Sequence, residues 1–257
     1  LHSTSRRQRQ MCIRDRYCYD HKLTDKTSFT IESMGAVKYI DVNVKNGEVV
    51  SAKVDMGKPS LACSDIPVNA NGDKAIDEPI AIIDREFKMT CVSMGNPHAV
   101  MFIDEHPSDF DLEKYGKACE SNTDIFPDRV NAEFAKVIDR HNIEMRVYER
   151  GSGETLACGT GSCATAVAAI TLGLCDNDVT IHLIGGDLDI SWSGDENDSV
   201  YMTGPATQVF TGEVDLNKFD ISKKKYWREK IREILALSEN DIVFAFAGRL
   251  TADKGVN

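Results

Sequence analysis

Residues 148–173, YERGSGETLACGTGSCATAVAAITLG, permit few structures. SCATAVAAITLG is apolar or small on every side, so a helix there has no solvent face and must be a core element. Just before it, Gly151, Gly153, Gly159 and Gly161 permit a tight backbone whose N–H groups point one way, and Thr160 or Ser162 is placed to cap the helix. Cys158 therefore falls at, or just before, a helix N-terminus. There the helix dipole and unpaired N–H groups favour an anion, so the thiol is expected to ionise more readily than a free cysteine. A reactive thiol and a carboxylate-binding turn would share one rigid support. No Gly-Lys-Ser/Thr closes the loop, which argues against a Walker-type phosphate site.

The other features of the chain narrow its class. With 257 residues, 42% hydrophobic and 28% charged, it has ample material for one large or two ordinary cores. No run of eighteen apolar residues is present and the first residues lack an apolar signal core, so no membrane span or secretion is expected and a cytoplasmic location follows. Eight cysteines are scattered without a C-x-x-C pair, which argues against zinc and a thioredoxin motif and reads as free thiols. The net charge of −11 is uneven: residues 1–16 carry +4, residues 218–257 carry +3, and the body between carries −18. So acidic a body is a poor nucleic-acid binder.

Along the chain, 1–16 has neither helical nor strand periodicity and reads as a foreign leader. Strands are expected at 28–33, 38–44 and 49–56, with Asn46-Gly47 turning a hairpin. Residues 60–83 read as irregular, with Pro67, Asn69, Asn71-Gly72 and Pro79 as turn signals. Strands at 87–93 and 99–103 flank Gly95-Asn96-Pro97-His98, and 111–121 reads as a helix. In the strand at 130–138, the Asn131 amide is costly among apolar neighbours unless it has a partner. The strand at 143–148 delivers Glu149 and Arg150 to its end, where the pair suits an ammonium and a carboxylate, Arg150 gripping the latter with both guanidinium nitrogens. Strands at 179–184, 188–192 and 199–203 form a meander. Beyond it, 222–237 is an amphipathic helix and 241–247 an apolar strand.

ERGSGETLACGTGSCA strongly resembles the second cysteine motif of the diaminopimelate epimerase family, and MGNPHAV (94–100), RVNAEFA (129–135) and GPATQVFTGEV (204–214) match it in order. The resemblance implies an α/β (α+β) fold of two similar domains, each a curved mixed or antiparallel sheet wrapped around a central helix. The first domain would be incomplete here, with 17–58 and 204–216 its remnant and 59–203 the second domain. The tail, 217–257, is similar in SENDIVFAFAGRLTADKG to the opening of a glycosyltransferase nucleotide-sugar domain and reads as a separate fragment. The family's other catalytic cysteine lies in Cys-Gly-Asn-Gly, expected shortly before Tyr17; these residues contain no such motif, and Cys18 lacks the glycine context.

By resemblance the reaction inverts an amino-acid stereocentre, LL- to meso-diaminopimelate, without metal, pyridoxal phosphate or other cofactor. A thiolate removes the α-proton on one face and a thiol returns one on the other, in a dry site with fixed dipoles aimed at the carboxylate. Gly159 and Thr160 N–H groups would hold the reacting carboxylate, with Cys158 as the proton-transferring thiol. Asn96, Asn131, Glu149 and Arg150 would fix the distal amino-acid end, Asn131 finding its partner in the substrate. His98 and Glu149 would set the protonation state of Cys158. A homodimer is the family's tendency. With one cysteine half-site, the expectation is no turnover. Other two-cysteine racemases, a thiol hydrolase pairing Cys158 with His98 or His182, and a non-catalytic binding module are the alternatives.

Overall fold

Period-two alternation of buried and exposed residues organises most of the molecule into one mixed sheet. The computed structural model describes residues 16–33 and 36–205. The leader through residue 15, the end of the 204–214 motif and the whole tail, with its expected helix and strand, lie outside the described residues. By its internal contacts the chain groups into 1–31 with 38–207, and 32–37 with 208–257; the second group is almost entirely undescribed.

The strands are β1 (Ser28–Ser33), β2 (Ala36–Lys45), β3 (Glu48–Gly57), β4 (Glu78–Ile82), β5 (Arg85–Ser93), β6 (Pro97–Phe102), β7 (Asn131–Asp139), β8 (Asn142–Glu149), β9 (Gly153–Thr155), β10 (Asp178–Leu183), β11 (Gly186–Ser191) and β12 (Val200–Pro205). The helices α1 (Leu112–Glu120) and α2 (Gly159–Thr171) accompany them, and residues 16–20 are also helical. The spatial order is β1-β2-β3-β12-β11-β10-β8-β7-β6-β5-β4, with β9 beside β8. Asn46 and Gly47 both take positive φ, 53° and 83°, as the two-residue hairpin turn between β2 and β3 requires. The region expected to be irregular contains β4, an edge strand. It pairs with β5 alone and so tolerates Pro79, which has no ladder N–H to give.

Two neighbouring pairs, β6–β7 and β8–β10, run parallel. A parallel pair needs a long crossover, and here α1 occupies the first and α2 the second. Each helix lies over a different face. Cys163, Ala164, Ala166 and Val167 of α2 pack with Val92, Val100, Ala135, Met145 and Val147, together with Ile40, Val54 and Met202 from β2, β3 and β12. Leu112, Tyr115 and Cys119 of α1 pack with Met101, Ala132 and Phe134 on the reverse side, where Phe87, Phe110 and Phe134 form an aromatic cluster with centroids 4.4–6.1 Å apart. The first eleven residues of α2, Gly159–Ala169, are all buried, as its composition requires. Among the described residues no helix is long and apolar enough to cross a membrane, and the seven cysteines are free thiols.

Candidate active site

The α2-facing side of the sheet carries Val100 on β6, Ala135 on β7 and Val147 on β8. Alternation places His98, then Asn131 and Glu133, then Glu149, on that same side. A run of polar groups thus lies beneath the helix beginning at Gly159. His98, Glu133, Asn131, Glu149 and Asn96 are all buried, the first two completely.

Cys158 is the N-cap of α2, in extended conformation (φ −138°, ψ 111°), and its side chain makes no capping bond. Neither expected capping residue serves: the Ser162 hydroxyl donates back to the Cys158 carbonyl at 2.9 Å, and Thr160 Oγ1 lies 3.6 Å from Cys158 Sγ while accepting from Asn96 Nδ2 at 3.3 Å. The first-turn N–H groups therefore retain donor capacity at the head of the helix. The thiol is wholly buried. Burial first, then Glu149 and Glu133, push its pKa well above the ordinary cysteine value, outweighing the Thr160 hydroxyl and Gly161 N–H that favour the thiolate. The expectation of an easily ionised thiol is overturned: at rest Cys158 is a thiol, able to give a proton.

His98 Nδ1 is 2.6 Å from Glu133 Oε1. Burial raises the Glu133 pKa; His98 opposes the rise and Glu149 adds to it. A Cβ on Gly161 would lie 2.8 Å from Glu133 Oε1 and 3.3 Å from Cys158 Sγ, so the carboxylate and the sulfur meet the helix at one glycine. Glu133 was not singled out in the sequence. The signal was there: an acid inside an apolar strand, two residues from Asn131 and so on the same face.

Asn131 finds its partners within the fold rather than needing a ligand for them. Its Nδ2 donates to the Pro97 carbonyl at 2.9 Å, and its Oδ1 accepts from Arg150 N at 2.8 Å, joining the β6 turn to the end of β8. Glu149 accepts from Thr155 Oγ1. The Arg150 guanidinium donates to the Asp128 carbonyl at 2.9 Å in an exposed position, apart from the Cys158 cluster's hydrogen bonds. Buried Glu120, also missed, accepts from Gly151 N at 2.9 Å and pairs with Arg129, whose left-handed φ of 59° marks the approach to Asn131. His182, the alternative base, is engaged by Asp187 and Asn142 side chains at 2.9 and 3.0 Å.

The diaminopimelate epimerase family profile matches residues 90–209. Diaminopimelate epimerase of Agathobacter rectalis is 50% identical over 208 residues, covering 78% of this chain and 72% of the relative. The chain belongs to the diaminopimelate epimerase family. The Acetivibrio thermocellus member is 48% identical over 203 residues, covering 79% of this chain and 71% of that protein. In fold the chain is similar to a probable proline racemase from Agrobacterium radiobacter (TM-score 0.60, 13% identity, covering 80% of this chain and 66% of that one). It is also similar to a hydroxyproline epimerase from Agrobacterium vitis (0.56, 14%, 74% and 60%). At the head of α2 the structure brings together Cys158, Asn96, His98 and Glu149, while Asn131 stands on the same sheet face and holds Pro97 and Arg150.

Proposed function

We infer that the chain carries one cysteine half-site of a diaminopimelate epimerase, an isomerase that works without cofactor on a small amino acid. The carrying observation is Cys158, held protonated at the uncapped head of α2 with Asn96, His98, Glu133 and Glu149 around it. A substrate carboxylate on the Gly159 and Thr160 N–H groups would be met by the helix dipole and by donors fixed in advance. Once a base on the opposite face takes the α-hydrogen as a proton, its bonding electrons stay on carbon. Cys158 then gives its S–H proton to that carbon and is left as thiolate; the reverse reaction exchanges the roles. Glu149 and Arg150 would order the distal ammonium and carboxylate, Arg150 on leaving the Asp128 carbonyl, with Asn131 fixing the Arg150 backbone and reaching substrate only through its remaining hydrogen-bonding capacity.

We assign 17–58 with 204–216 to the first domain and 59–203 to the second, in a cytoplasmic enzyme that forms homodimers. These 257 residues supply one such thiol, so they should bind diaminopimelate without inverting it. Calorimetric titration and an α-deuterium exchange assay on the purified chain test this. Binding with no stereochemical inversion is expected, with Cys158→Ala leaving affinity within about threefold; robust inversion would overturn the single-thiol assignment.

A further inference from the structure

Among the described residues, three buried polar atoms at the head of α2 have no hydrogen-bond partner: Asn96 Oδ1, His98 Nε2 and Glu133 Oε2. Their side chains reach the first helical turn directly or through one another, Asn96 on Thr160, Glu133 against Gly161, and His98 on Glu133. Two of the three belong to a single hydrogen-bonded pair. Beyond the proton in its Nδ1···Oε1 bond, that pair has two unpartnered atoms, Nε2 and Oε2, at either of which a second proton can sit. Carried with one proton only, it is a net negative charge buried beside Cys158, which is costly.

The titratable groups beside the pair are Glu149 at the end of β8 and Cys158, while Cys91 from β5 and Cys119 from α1 feel the Glu133 charge from the other face of the sheet. Burial holds all three thiols protonated, so none can accept a proton. Glu149 is a further negative neighbour. An arriving carboxylate would add another.

We propose that the His98–Glu133 pair takes up a proton when a substrate carboxylate settles on the N-terminus of α2, so that a neutralised pair faces Cys158 during the reaction. The proton comes from solvent and is taken by the pair, whose unpartnered atoms are His98 Nε2 and Glu133 Oε2; no bond within the protein breaks. Glu133 acts through His98 and is a positioning residue. Because Glu133 is one of the charges holding Cys158 as a thiol, neutralising the pair on binding eases the sulfur towards thiolate when substrate is present and not before.

This rests on the functional reading above and is tested separately from it. Meso-diaminopimelate is titrated calorimetrically into the full chain at a series of pH values up to about 8, in two buffers of different ionisation enthalpy. About one proton should be taken up per ligand bound where the free pair carries a single proton, with affinity falling up to tenfold per pH unit there. Glu133→Gln should abolish the uptake and flatten the pH slope, and Glu133→Asp should restore both. Binding by the native chain without proton uptake, or uptake that survives Glu133→Gln, overturns the inference alone and needs only one folded variant. Absence of binding by the native chain overturns the functional reading and this inference with it.

Discussion

At Gly161 one methyl group separates a working site from a broken one. Alanine is favoured over glycine inside a helix by about 1 kcal/mol, yet here its Cβ would press on the Glu133 carboxylate at 2.8 Å and on Cys158 at 3.3 Å. The carboxylate is pinned by His98, so the clash should win: Gly161→Ala is expected to cost about 1–3 kcal/mol and to weaken diaminopimelate binding at least tenfold, read by urea denaturation and calorimetry. The Cys158 thiol illustrates how far sequence reaches at this scale. Its position at a helix head was readable from four glycines, but its ionisation was not. A helix terminus favours an anion by about 0.3–1 kcal/mol, whereas full burial beside two carboxylates acts with several times that strength, and burial depends on what packs from elsewhere. Glu133 was legible as an acid out of place in the apolar stretch Ala-Glu-Phe-Ala, but its partner was not, because His98 meets it only across the ladder.

Elements whose local chemistry and tertiary context agree were legible in advance. The Asn46-Gly47 hairpin, α2 with its first eleven residues buried and the final meander all stand where turn residues and hydrophobic periodicity put them. β4 was obscured because Pro79 argues against a strand unless that strand is at an edge, which is a property of the assembled sheet. The seating of α1 was equally unreadable. Gly116 brings that helix so close to β8 that an added Cβ would lie 2.7 Å from Tyr148 Cβ and 3.0 Å from the Leu112 side chain. A Cβ cannot rotate away, so Gly116→Ala should lift the helix despite a propensity gain of about 1 kcal/mol. A net loss of about 1–2 kcal/mol in stability is expected, seen as a lower urea midpoint with unchanged slope.

For the molecule as a whole, the buried thiols set an alkaline limit. Burial raises the folded-state pKa of Cys91, Cys119, Cys158 and Cys163 above the unfolded value. A raised pKa contributes stability that is complete below the unfolded value, about 8.5, and is lost as pH climbs towards the folded value. Each such thiol should therefore cost about 1.4 kcal/mol per pH unit beyond that point. Denaturation midpoints measured from pH 7 to 10 should fall steeply, and Cys163→Ala should reduce the slope. The ladder between β3 and β12 has a consequence of another kind. It joins Val200–Pro205 to the hairpin that ends at Gly57, so during synthesis the hairpin leaves the ribosome with one edge unzipped. Roughly 7–30 s of translation must pass before its partner strand emerges. An open edge can pair with other chains, so slowing the ribosome between the two segments should raise the yield of aggregated product.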